Sequence, residues 1–277
     1  MRNLLAAGMF RLMRNKLLYV GIAVNILIVI YTMIHGYHYT QNSAFTYKLE
    51  ELFFLFPMID LISSGVFCGL FLSSEYSDGV LRNKLMVGRT RSQVYLANLV
   101  TNGIYGILIC LAAIVTGLCA GVPLLGWFQE AELSQVLLYT LFALVNTWVC
   151  IALFTLISML IANRGIAVAV CVVLAFGLLF FGQYLMTNLS QPEFTQSIAL
   201  VNGEYQISDS AVPNPSYISG FTRQVYQFLL EFTPGGQCFL ISNMSAEPPW
   251  HLPVYSGILI LLSTGLGLAL FQKKDIK

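Results

Sequence analysis

The chain has 277 residues, 57% of them hydrophobic and 10% charged, against roughly 45–50% and about 25% in soluble domains. That balance excludes an ordinary soluble domain, and a formal net charge of +1 gives no basic surplus for holding nucleic acid. The composition fits an all-α integral membrane protein.

Taken in chain order, residues 1–16 read as an amphipathic helix. Leu5, Met9 and Leu12 recur at helical spacing, while Arg11 and Arg14 mark another face. Such a helix lies along the inner membrane surface with its bases near anionic headgroups; the plainer alternative is a basic flank that only sets topology. Six apolar stretches, at 17–36, 52–74, 99–121, 133–162, 165–186 and 252–271, meet the requirement of about 20 apolar residues for crossing a bilayer. The first has full length and no small-residue cleavage site after it, so it is expected to stay in the chain rather than act as a signal peptide.

Lys and Arg near helix ends are retained on the cytoplasmic side. With six alternating spans, Arg2, Arg11, Arg14, Lys16, Arg82, Lys84, Arg89, Arg91, Arg164, Lys273, Lys274 and Lys277 share one side, and only Lys48 and Arg223 lie on the other. Both termini and the segment 75–98 are therefore expected in the cytoplasm, and the long segment 187–251 outside. Within 187–251, Phe221 to Phe232 is an amphipathic helix candidate, broken by Pro234-Gly235-Gly236 before a second apolar piece from Cys238. Both are too short to span and are expected to dip into the outer leaflet and return. Residues 190–219 read as a small irregular cap. The sequons at Asn188 and Asn243 carry meaning only in a glycosylating pathway. Five of the six cysteines fall in apolar runs and only Cys238 in a loop, which implies no disulfide framework.

Asp60 is the only acid inside a span, a placement that costs about 2.5–3.5 kcal/mol at a helix centre. Ser63 and Ser64 follow at helical spacing, which favours an interior or water-facing stripe. Two readings stand side by side: a substrate contact or proton-sensitive gate, and a buried acid bonded to Asn102, Asn146 or Gln183. Pro57 is expected to kink this helix. Gly65 and Gly69, and Gly117 and Gly121, permit close helix packing, within one subunit rather than at a dimer seam. His35 and His38 lack a carboxylate or thiol nearby and make a poor metal site. No catalytic constellation is legible.

The charge-dense stretch after the second span is the most informative. Glu75-Tyr-Ser-Asp78-Gly79 is expected to begin a short helix, with an Asp78–Arg82 pair four residues apart. Val80, Leu81, Leu85 and Met86 would be exposed, Gly88 would stop the helix, and Thr90 or Ser92 would cap the next. The pattern E-Y-x-D-G-x-x-R-N-K-L-x-x-G-x-x-R-x-x-x-Y-L from Glu75 to Leu96 resembles the cytoplasmic loop of ATP-binding-cassette export permeases of the second class, the type V exporter fold. The amphipathic amino-terminal segment resembles that family's elbow helix, the pieces around Thr233-Pro-Gly-Gly-Gln its re-entrant helices, and Phe271-Gln-Lys-Lys-Asp its basic carboxyl end. The resemblance implies that the loop helix couples the permease to an ATPase, with Glu75, Asp78, Gly79, Arg82, Asn83 and Lys84 as coupling residues and Asp60, Ser63 and Ser64 as candidates for the translocation pathway. It also implies two permease copies, identical or related, and two copies of an ATP-binding subunit that hold ATP and Mg. This chain has no Gly-Lys dipeptide, so it lacks the phosphate-cradling loop and is expected to be non-catalytic.

The expected setting is a bacterial cell membrane. The expected cargo is an amphipathic or antimicrobial peptide, as in exporters of phenol-soluble modulins, because the spans carry so little internal charge. The alternatives are a standalone channel or proton- or ion-coupled transporter using Asp60, or an exporter of drugs or ions.

Overall fold

The computed structural model describes residues 1–43, 46–201, 204–244 and 250–274. It is an all-α bundle with six helices long and apolar enough to cross a membrane. Helix α1 (Arg2–Arg14) precedes α2 (Lys16–Asn42), and the Asn15 side chain separates them by accepting the Leu17 amide at 2.9 Å. A short α3 (Leu49–Phe53) leads into α4 (Phe56–Ser77). The interruption expected at Pro57 takes the form of a break at Phe54 and Leu55, just before it; the proline sits in the first turn of α4, where its missing N–H costs nothing.

Next come α5 (Val80–Met86), α6 (Arg91–Leu125), α7 (Leu133–Leu160) and α8 (Arg164–Leu189). Helices α6, α7 and α8 start on side-chain caps: Thr90 accepts the Gln93 amide at 3.3 Å, Glu132 and Gln135 form a capping box, and Asn163 accepts the Gly165 amide at 2.9 Å. Such caps satisfy amides that would otherwise lack partners. The chain ends with α9 (Gly220–Phe232), α10 (Pro234–Ser242) and α11 (Leu252–Lys273).

Two expectations change between α8 and α11. The region expected as an irregular cap holds an antiparallel hairpin of β1 (Phe194–Val201) and β2 (Glu204–Pro213), with a register irregularity between Gln196 and Ile198. Pro234-Gly235-Gly236 forms the first turn of α10 rather than a break, because Thr233 caps that turn at the Gly236 amide, 3.3 Å away. Cys238 is consequently buried in a helix rather than carried by a loop.

Among the six spans α4 and α7 are the most enclosed, with α2, α6, α8, α10 and α11 packed around them. The glycines of α4 set the α4–α8 distance: a Cβ on Gly69 would lie 2.9 Å from Val168 Cα, and one on Gly65 3.2 Å from the Cys171 carbonyl. The pair serves packing within the chain, as does Gly117, where a Cβ would meet Phe53 at 2.9 Å.

The bundle has two unlike ends. At one, α1, the start of α2, the end of α4, α5, the start of α6 and the end of α11 come together: Arg91 donates to the Phe271 carbonyl at 3.3 Å and Lys274 to the Tyr76 hydroxyl at 2.8 Å. Both terminal helices therefore finish at this basic end. At the other, the Glu50 carboxylate caps the amides of Gln129, Glu130 and Ala131, and Lys48 pairs with Glu130.

Candidate functional site

At the basic end, α4 does not run into the charge-dense segment as one helix. Glu75 and Tyr76 belong to the last turn of α4, Asp78 closes it, and Gly79 reverses the chain with φ +65 before α5 starts at Val80. Gly88 takes φ +83 after α5. Both are left-handed positions that favour glycine, and together they make α5 a separate seven-residue helix.

Glu75 is only 1% exposed and holds this region together. Its Oε1 accepts from the Arg11 guanidinium of α1 and from Lys84 Nζ of α5 at 2.5 Å; its Oε2 accepts from Asn98 Nδ2 of α6 at 2.8 Å. Arg11 also donates to the Phe71 carbonyl and to Ser74 Oγ, each at 2.6 Å, and lies 4.2 Å from the Phe71 ring centroid. Lys84 reaches Asn98 Oδ1 at 3.3 Å. One carboxylate thus ties four helices with charge-assisted bonds, the strongest class of protein hydrogen bond. The expected exposed-base face of α1 is accordingly wrong for Arg11. The buried stripe is Leu4, Gly8 and Leu12, and Arg11 points inward beside it.

The remaining coupling candidates fall into two groups. Asp78, Arg82 and Asn83 are exposed and Gly79 is half-buried, whereas Glu75 is buried and Lys84 is turned into the bundle. Glu75 therefore cannot touch a docked protein directly. No Asp78–Arg82 ion pair forms among the described residues, since Asp78 caps α4 and receives the Ser77 hydroxyl at 3.2 Å. The apolar face also differs. Leu81 is buried, Val80 and Leu85 are half-buried, and the projecting side chains are Met86 at 68% and Val87 at 78% exposure. Thr90, rather than Ser92, caps the helix that follows.

Asp60, Ser63 and Ser64 do not share one lining. Asp60 is 0% exposed and accepts from Asn25 Nδ2 of α2 at 2.6 Å; among the described residues its other oxygen, the Asn25 carbonyl oxygen and the buried Ser64 hydroxyl have no partner. The anticipated partners are engaged elsewhere: Asn102 donates to Thr155 at 2.9 Å, Asn146 to the Pro234 carbonyl at 3.3 Å and Gln183 to Thr187 at 3.0 Å. Ser63 instead faces an apolar lateral cleft between α2 and α4. The partner was visible in the sequence, since Asn25 is the single amide within the apolar run of the first span, and a lone amide at that depth needs a polar neighbour. Arg11 gave a weaker signal, because a base next to Leu12 reads equally as surface. His35 and His38 belong to no group of three or more metal-ligating residues among those described.

No curated protein matches the chain closely enough to be called similar. Residues 4–186, which include α1, the first five long helices to within three residues, and the Glu75 cluster, match the model of the ABC-2 family transporter proteins. The chain belongs to the ABC-2 family of transporter membrane proteins and is a permease component.

Proposed function

We propose that this permease is the pathway-forming half of an ATP-driven exporter, working as a homodimer or with a related permease. Two copies of a separate ATP-binding subunit would hold ATP and Mg and dock on the basic end, which faces the cytoplasm of a bacterial cell. The observation that carries the reading is α5. It is a short helix bounded by two left-handed glycines, presenting Arg82, Asn83, Met86 and Val87 outward while Lys84 anchors it inward on Glu75. A helix with charged and apolar side chains exposed together suits a protein groove better than water or lipid.

Movement imposed on α5 reaches α4, α1 and α6 through Glu75, because a buried charge cluster resists separation. Arg82 and Asn83, with Asp78 beside them, are assigned the contact; Glu75 and Lys84 are positioning residues that act through α5. Elbow and re-entrant roles are assigned to α1 and to the α9–α10 pair. The cargo assigned is an amphipathic or antimicrobial peptide, supported by spans whose interior offers apolar walls and few charges.

The test is reconstitution in liposomes with and without the ATP-binding subunit. Expected is peptide-stimulated ATP hydrolysis that requires both proteins and falls when Arg82 and Asn83 are replaced by alanine. Transport by the permease alone, or coupling indifferent to those replacements, would overturn the proposal.

A further inference from the structure

Two features that the coupling role leaves unused adjoin one another at the elbow between α1 and α2. The first is a basic recess around Arg14, Asn15 and Lys16. Arg11 of this recess is committed to Glu75, but Arg14 and Lys16 are exposed, and among the described residues neither is paired with an acid. Arg14 lies over the Phe10 ring, 4.4 Å from its centroid. The second is the apolar cleft of about 330 Å³ between α2 and α4, floored by Phe67 and Tyr105, whose rings stack with centroids 3.6 Å apart. Their linings meet in sequence at two points. Leu17, next to Lys16, opens the cleft on α2, and Leu70 opens it on α4 beside Phe71, onto which Arg11 stacks.

The dimensions match one ligand class. On α2 the cleft runs from Leu17 to Ile28, about 16 Å at a rise of about 1.5 Å per residue, close to half of a hydrocarbon core of roughly 30 Å. A groove one leaflet deep, with two bases near its mouth and the Ser63 hydroxyl on its wall, has the form of a site for a phospholipid: basic recesses at the membrane surface bind anionic headgroups.

We infer that this permease holds one anionic phospholipid in the leaflet bordering α1, its phosphate at Arg14 and Lys16 and one acyl chain in the α2–α4 cleft. The site is independent of which face of the membrane α1 occupies and of any ATPase. Native mass spectrometry of the detergent-purified chain, titrated with phosphatidylglycerol or phosphatidylcholine of identical acyl chains, tests it. Expected is a preference for phosphatidylglycerol of roughly 30-fold from two bases at the surface, abolished by Arg14→Gln with Lys16→Gln. Glycerol phosphate alone should not compete. Val66→Trp, which fills the cleft without changing charge, should weaken both lipids roughly tenfold; Ser63→Trp is the substitute if that variant unfolds. Equal binding of the two lipids, competition by glycerol phosphate, or a cleft variant that alters self-association but not lipid binding would overturn the inference, the last by showing that a second copy covers the cleft.

Discussion

Helix α4 carries two buried carboxylates fifteen residues apart, and their surroundings differ. Glu75 has two cations and an amide around it, from α1, α5 and α6, and both of its oxygens are bonded. Asp60 has one amide, from α2, and one oxygen left without a partner among the described residues. Burying a charge is tolerable when pairing and hydrogen bonds compensate it. By that measure Glu75 is built to stay as it is, while Asp60 is held under penalty. The first fastens α1, α5 and α6 to α4. The second leaves one buried carboxylate oxygen without a partner among the described residues, at the contact of α2 with α4.

The contrast can be broken by substitution. Glu75→Gln would leave Arg11 and Lys84 facing each other without their shared acid and should cost about 3–5 kcal/mol, read as a fall in unfolding midpoint in detergent. Adding Lys84→Met should recover part of that loss, since the two residues share one cluster. Gly69→Leu forces α4 from α8 against Val168 and should cost about 1–3 kcal/mol without touching either acid. Asp60→Asn removes the poorly compensated carboxyl group and keeps the shape, so the unfolding midpoint should stay level or rise; a drop as large as that of Glu75→Gln would erase the distinction between the two sites. Smallest in stability is Arg82→Ala, expected within about 0.5 kcal/mol because Arg82 is exposed. Its effect should appear only in coupled ATP hydrolysis.

Much of this was legible in sequence because hydropathy dictates it. All six spans fall where apolar runs of sufficient length lie, and α7 and α11 start at the predicted residues, Leu133 and Leu252. What the sequence concealed depends on contacts between distant segments. The Glu75 cluster joins residues 11, 75, 84 and 98, and nothing local distinguishes an acid that will be enclosed by two bases from one that faces solvent. Local spacing favoured an Asp78–Arg82 pair, but the left-handed Gly79 separates the two into different elements. The β1–β2 hairpin was readable: an apolar run, Ile198 to Val201, and the alternating Glu204 to Ser208 flank Asn202-Gly203, a hairpin signal, which the surrounding Pro, Asn and Ser obscured. Asn25 was readable too, as the natural partner of an acid in the neighbouring span.

The coupling role of α5 is tested most directly by proximity. With Arg82→Cys as the probe, a bifunctional thiol reagent applied to membranes containing the ATP-binding subunit should link the two proteins, with a yield that changes when ATP is added. Labelling of the same cysteine by a membrane-impermeant thiol reagent from outside intact cells, with no link to the ATP-binding subunit, would place α5 on the wrong face and contradict that role.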